Sequence, residues 1–217
     1  MKRLRLLLRL SRSLPPLVDF CSKRNTFEKE CLTYKRRSDS GSSVSLDLGC
    51  GRRPRNPFDA DVLNGVDISA DLPDNASVNE IKQADLTLDP IPYPSGQCDY
   101  VTAFDFIEHL PRQVTIFRNA KPAGLPHAAS RLPFIEIMNE IYRVLNPGGL
   151  FLSVTPAWPF PDAFKDPTHV NFITYDTFPS YFCGNSMGRY GFEGNFNLIK
   201  QGWLGYKLVS LLQKRPV

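Results

Sequence analysis

In 217 residues this chain holds three histidines, five cysteines and three methionines. The cysteines, Cys21, Cys31, Cys50, Cys98 and Cys183, are scattered, with no C-x-x-C pair. That spacing offers neither a disulfide framework nor a zinc knuckle, and an odd number suits a reducing compartment. No metal site is expected. Long apolar runs are missing as well: in the leucine-rich start Arg5 and Arg9 interrupt the run, so it is neither a signal-peptide core nor a membrane span.

Acidic residues are scarce at the beginning. Residues 1–40 carry 11 Lys/Arg against four acids, whereas residues 41–217 carry 15 against 18, so the net charge of +4 is a basic start on a mildly acidic remainder. An enzyme of nucleic acid more often spreads positive charge across its catalytic domain, so no nucleic-acid partner is expected. In residues 1–14 a helical projection gathers Lys2, Arg5, Arg9 and Arg12 within an arc of roughly 80°, with leucines filling the rest and Arg3 as a misfit. Three readings stand for this amphipathic stretch: a mitochondrial presequence, peripheral contact with an anionic membrane, or a helix packed on the domain. Pro15 and Pro16 end it, and residues 35–43 read as a linker. The expected division is an extension and linker over 1–43 and one domain over 44–217.

The chain is organised around residues 44–51, V-S-L-D-L-G-C-G. Val44, Leu46 and Leu48 are the apolar content of a buried strand, and Gly49 and Gly51 follow where the chain turns tightly and lets a ligand approach backbone. Asp47, inside that strand, calls for a partner, either neighbouring backbone N–H groups or a cationic ligand. A second apolar run, 63–68, carries Asp67 to the C-terminal end of the next strand, where an acid holds a ribose diol. A nicotinamide-type fingerprint wants a third glycine where Pro54 stands, so the dinucleotide reading falls behind.

These residues resemble motif I of the class I S-adenosylmethionine-dependent methyltransferases, followed by that family's acidic residue in G-V-D-I-S. The resemblance continues through Q-A-D-L (83–86), C-D-Y-V-T-A-F-D-F-I-E-H-L (98–110) and R-V-L-N-P-G-G-L-F-L (143–152), so that five motifs fall in order between residues 44 and 154. It implies an α/β fold: a Rossmann-like three-layer sandwich around a seven-stranded, mostly parallel sheet with a reversed last strand. It implies S-adenosylmethionine as cofactor, with Gly49, Cys50 and Gly51 at the methionine end and Asp47 at its ammonium. Asp67 takes the ribose and Asp85 the adenine, while Ile68, Leu86 and Phe104 complete the set. Members that methylate base or amide nitrogens carry an N-P-P-Y-like segment where this chain has A-F-D-F, so oxygen or carbon of a small-molecule or glycan acceptor is the expected target.

Two histidines fall near the same sheet edge. His109 follows the fourth strand and is expected to shape the methyl-donor pocket. His169, in D-P-T-H-V-N with Asp166 three residues earlier, is the candidate general base, since imidazole titrates near working pH.

The chain departs from the family pattern after the first strand, where Pro54 and Pro57 forbid a long helix and Arg52, Arg53 and Arg55 are available to meet the cofactor's carboxylate. Residues 111–133 have four prolines, five basic or histidine residues and no acid. They read as a long irregular loop suited to an anionic acceptor. Residues 134–145 have helical periodicity, 156–174 are too rich in proline and aromatics for regular structure, and 196–203 with 206–212 read as a closing hairpin. Two rival readings are a non-catalytic S-adenosylmethionine-binding subunit and a membrane-surface module led by residues 1–14. A cytoplasmic location is expected, or the mitochondrial matrix if the start is a presequence.

Overall fold

Leucines, valines and aromatics in short runs build the centre of the computed structural model, which describes residues 24–35, 41–69, 78–118, 127–184 and 189–215. The amphipathic stretch over 1–14 and its membrane, presequence and packing readings lie outside the described residues. Strands β1 (Val44–Leu48), β2 (Val62–Asp67), β3 (Glu80–Gln83) and β4 (Cys98–Phe104) are followed by β5 (Val114–Arg118) and β6 (His127–Arg131). After them come β7 (Leu145–Pro156), β8 (Phe196–Leu204) and β9 (Lys207–Lys214). Seven strands form one sheet in the order β3-β2-β1-β4-β7-β9-β8. Strands β3, β2, β1, β4 and β7 pair in parallel, and β9 runs antiparallel to both β7 and β8. This is the Rossmann-like methyltransferase architecture with its reversed last strand.

A parallel sheet must be covered on both faces, and alternation along its central strands supplies two cores. Val101 and Phe151 point to one, with Leu46, Leu48 and helix α2 (Pro133–Val144). Tyr100, Leu150 and Leu152 point to the other, with Phe58 and helix α1 (Arg24–Thr33). Helix α2 buries Phe134, Ile137, Met138, Ile141 and Val144 at the spacing of one helical face. Residues 24–33, read from sequence as part of the extension, form α1 and bury Phe27 and Cys31 against the sheet.

Between β1 and β2 there is no helix, as the two prolines require. Side chains hold the segment instead. Asp47 Oδ2 accepts the backbone N–H of Arg55 at 2.8 Å. Asn56 bridges both backbone groups of Ala60 at 2.9 Å, and Asp61 takes the backbone N–H and hydroxyl of Ser43 at 2.8 Å.

One expectation needs correction. Residues 111–133 are not an irregular loop throughout: β5 and β6 pair antiparallel from Val114 opposite Arg131 to Arg118 opposite His127. The prolines at 111, 122, 126 and 133 all flank the strands, and the V-T-I-F run between them has strong strand preference. A shift of register also marks residues 145–150, where Leu145 faces Cys98 and Leu150 faces Tyr100, so the N-P-G-G segment bulges out of β7. Gly148 there has φ 75°, and a Cβ on Gly149 would stand 2.9 Å from the Asn146 carbonyl.

Asp47 is 2 % exposed and its Oδ1 accepts the Thr102 hydroxyl of β4 at 2.6 Å. Burial pushes its carboxyl up to about 7, against the two hydrogen bonds that pull it down. The unfolded chain releases this proton near pH 4, so between about pH 4 and 7 the folded state holds the extra proton and stability falls as pH rises. Urea unfolding should therefore show the wild type losing stability from pH 4.5 to 8, by at most on the order of 4 kcal/mol from this group. Asp47→Asn should remove that part of the slope; an unchanged slope contradicts the assignment.

Candidate functional site

At the C-terminal ends of β1 and β2 the backbone is drawn into a tight cradle. Gly49 and Cys50 donate to the Val66 carbonyl at 2.8 and 3.3 Å. Gly49 and Gly51 have φ 63° and 54°, where a side chain is strained. A Cβ on Gly49 would also stand 2.4 Å from the ring of Phe106. Gly51 N–H donates to Asp67 Oδ2 at 2.7 Å, and Asp67 Oδ1 takes the backbone N–H and hydroxyl of Ser69 at 2.9 and 3.0 Å. The strand-end acid is thus fixed by the glycine turn itself, with lone pairs left for a diol.

Three adjoining cavities follow the sheet edge. The first, of about 350 Å³, is bordered by Gly49, Asp67 and Ile68 on one side and by Asp85, Leu86 and Thr87 from the end of β3. Asp105, Phe106, His109 and Leu110, after β4, close it. The second, of about 610 Å³, shares Gly49 and adds Asp47, Cys50, Arg52, Arg53, Arg55 and Phe104. The third, of about 550 Å³, shares Arg55 and Phe104 and reaches Lys207, Leu204 and α1. The Arg55 guanidinium lies 4.5 Å from the centre of the Phe104 ring. Lys207 Nζ donates to Asp105 Oδ2 at 2.6 Å, tying the third cavity's wall to the first.

Most residues named from sequence thus come together. Gly49, Asp67, Ile68, Asp85, Leu86 and His109 border the first cavity, and Asp47, Cys50 and Phe104 the second. Gly51 acts through Asp67. Asp47 already gives each oxygen to an internal donor. Burial, with Asp47 and Asp67 nearby, pushes the Cys50 thiol up to about 12, so it is a neutral wall and no nucleophile. Asp85 Oδ1 accepts the N–H of Thr87 at 2.9 Å, which sets the strand-end turn.

His169 stands apart from the walls of these three cavities. Its backbone N–H turns back to the Asp166 carbonyl at 3.1 Å, as the D-P-T-H spacing suggested, but Nε2 is 3.9 Å from Asp166 Oδ2. Its ring meets that of His109 edge to face, with centroids 5.0 Å apart. His109 Nδ1 lies 3.2 Å from the Thr168 carbonyl and 3.1 Å from the Thr168 hydroxyl. Glu108, which sequence reasoning passed over, is 1 % exposed, and its Oε2 accepts the Thr155 hydroxyl at 2.7 Å. Burial raises its carboxyl above the ordinary range. The signal was present as an acid beside a histidine at the end of the central strand.

The insertion's basic residues divide differently from expectation. Arg112 Nε donates to Asn171 Oδ1 at 2.9 Å, and its Nη2 to the Phe172 carbonyl. Arg131 pairs with Glu136 and donates to the Leu88 carbonyl. Both brace the fold, and Lys121 lies outside the described residues.

The family model described as a methyltransferase domain matches residues 4–201. Among curated proteins no relative matches. Among solved structures, YcgJ protein from Bacillus subtilis is 13% identical with a TM-score of 0.56, covering 90% of this chain and 100% of its own. PH0226 protein from Pyrococcus horikoshii is 18% identical with a TM-score of 0.51, covering 95% and 99%. The [4+2]-cyclase SpnF is 13% identical with a TM-score of 0.55, covering 92% and 84%. Likeness at that level reports the fold and leaves chemistry to the site. The glycine cradle, the acids on facing walls and the ordered motifs fit S-adenosylmethionine. With the match spanning nearly its whole length, the chain belongs to the methyltransferase-domain family and is an S-adenosylmethionine-dependent methyltransferase.

Proposed function

We propose that the chain transfers the methyl group to an oxygen of a negatively charged small-molecule or glycan acceptor. The observation that carries this reading is the continuity of the cavities: a cradle with two acids, then three arginines, then a hollow edged by Arg55, Phe104, Glu28 and Lys207. Asp67 would hold the ribose diol and Asp85 the adenine edge, with Ile68 and Leu86 against the ring. Gly49, Cys50 and Gly51 border the methionine end. Arg52, Arg53 and Arg55 give its carboxylate the positive field that the missing first helix does not supply. Bound there, S-adenosylmethionine supplies an electrophilic methyl group on a sulfonium.

What remains for the chain is alignment and proton management. Positioning two reactants can account for several kcal/mol of barrier, and Phe104, Asp105 and Phe106 at the end of β4 stand between donor and acceptor cavities. At the third cavity Lys207 is paired with Asp105 and Glu28 stands on the same wall, so it is Arg55, with Arg52 and Arg53 one cavity away, that supports an acceptor carrying carboxylate, phosphate or sulfate. The A-F-D-F segment supports oxygen over a planar amide nitrogen.

For the cofactor, Asp67→Ala should weaken S-adenosylmethionine binding by roughly 1 to 3 kcal/mol, since a diol would lose a charged acceptor; calorimetry beside circular dichroism checks it, and parental affinity would place the ribose elsewhere. For the acceptor, protein incubated with methyl-labelled S-adenosylmethionine and fractionated metabolites should label species retained on anion exchange. Label confined to amines would defeat the oxygen reading. With such an acceptor, Arg55→Gln should raise KM about fivefold, as loss of ~1 kcal/mol of ion pairing implies. Raising salt should do the same to the parent, and kcat should stay near parental.

A further inference from the structure

Beyond the cofactor cradle, the loops after β4 and β7 bring three side chains together that nothing in the proposed function uses. Glu108, His109 and His169 each offer one ligand atom, and these atoms lie within 4.8 Å of one another. Two of the side chains have a polar atom that is buried with no hydrogen-bond partner: Glu108 Oε1 and His169 Nδ1. A buried carboxyl oxygen and a buried imidazole nitrogen left bare are each costly without something bound to them.

Two of the three groups are also held from behind. Glu108 Oε2 takes the Thr155 hydroxyl at 2.7 Å, leaving Oε1. His109 Nδ1 faces the Thr168 carbonyl at 3.2 Å, which selects the tautomer with its proton there and a lone pair on Nε2. His169 Nε2 lies 3.9 Å from Asp166 Oδ2, beyond hydrogen-bond reach, and Nδ1 is the buried nitrogen with no partner. Thr168 donates its backbone N–H and its hydroxyl to Asp166 Oδ1 at 2.8 and 2.7 Å, which fixes that side chain beside His169. Ligands oriented by hydroxyl and carbonyl on their far sides are the pattern that surrounds bound metals. The loops themselves are laced: Val170 and Asn171 both donate to the Glu108 carbonyl at 2.9 Å, and Asn171 Nδ2 to the Ile107 carbonyl at 3.1 Å.

We propose that Glu108 Oε1, His169 Nδ1 and His109 Nε2 bind one divalent transition cation, of the zinc, manganese, iron(II) or cobalt(II) class. Two imidazoles and one carboxylate favour these ions over calcium or magnesium, which take oxygen ligands. Ligand atoms about 2.1 Å from such an ion stand roughly 3.4 Å apart when tetrahedral, so the cluster has to close slightly around the ion. Three protein ligands leave coordination positions open. Because His109 also borders the cofactor cavity, a cation here sits at that cavity's edge. Its open positions would take an acceptor oxygen and ease loss of the hydroxyl proton to water. That last assignment rests on the oxygen-acceptor reading; the cation site does not. In this account His169 is a ligand in place of a free general base.

The test uses the full chain, stripped with chelator and dialysed, without cofactor or acceptor. Elemental analysis after dialysis against zinc should find one equivalent bound, and cobalt(II) should produce a visible absorption band. Glu108→Gln and His169→Asn should each weaken zinc binding by at least about tenfold, with a smaller loss for Asp166→Asn. His109→Asn, a change at an exposed residue, should weaken it as well and serves if the Glu108 variant does not fold. Calorimetry with S-adenosylmethionine should give parental affinity in His169→Asn, which separates loss of the cation from loss of the cofactor site. Bound zinc far below one equivalent in the parent, or parental zinc affinity in His109→Asn and His169→Asn, would overturn the site. Zinc bound as expected with transfer to oxygen unaffected by its removal would keep the site and overturn the role given to the acceptor oxygen.

Discussion

A buried carboxylate holds the functional edge of this sheet in place. Asp47 sits in the interior strand β1 with one oxygen on Thr102 of β4 and the other on the backbone of Arg55. Where related folds run a helix after the first strand, this chain has prolines, and the Arg55 hydrogen bond anchors the segment that replaces it. From that anchor the Gly49–Gly51 turn is set, Gly51 fixes Asp67, and Arg55 is laid over Phe104. The cost is a carboxyl kept from water whose proton is held to about 7. A group carrying such a burden in the middle of a sheet is better understood as architecture first, with any contact to the methionine ammonium made through what capacity remains.

The site's electrostatics follow from the same edge. Acids at the ends of β2 and β3 suit hydroxyl and amino donors of a nucleoside, and basic residues cluster one cavity further on, around the loop that Asp47 anchors. Asp105 and Lys207 join the two regions with an ion pair, and Asp105 keeps φ 52°, unusual for a residue other than glycine. Its carboxylate stands where the first cavity adjoins the wall of the third. On the opposite side Glu108 and His109 lock the loop after β4 to the loop after β7, at the carboxyl edge of the sheet along which ligands of open α/β folds bind.

Much of this was legible in residue order. V-S-L-D-L-G-C-G announced a buried strand and a glycine turn, and G-V-D-I and Q-A-D-L placed two more strand-end acids, because burial, turning and ligand approach impose local residue types. Long-range pairing imposes none. Arg112 gives no hint in sequence that Asn171 will hold it, so a basic loop looked like a binding surface when part of it is a brace. The hairpin β5–β6 was hidden by the weight given to four prolines that turn out to flank it. Residues 24–33 carry few apolar side chains, and Phe27 and Cys31 reveal α1 only once the sheet face beneath them is known. The pairing of Glu108 with His169 likewise arises from two loops meeting, although the E-H dipeptide itself was in view.

The central claim is that the glycine turn and the strand-end acids together hold S-adenosylmethionine. Hydrogen exchange of the intact protein with and without S-adenosylhomocysteine tests this directly. The account predicts slowed exchange at the backbone of residues 49–51, 67–69 and 85–87, with the far end of the sheet at β8 unchanged. Saturating ligand that leaves those three segments exchanging at their free rate, or slows exchange only elsewhere, would contradict it.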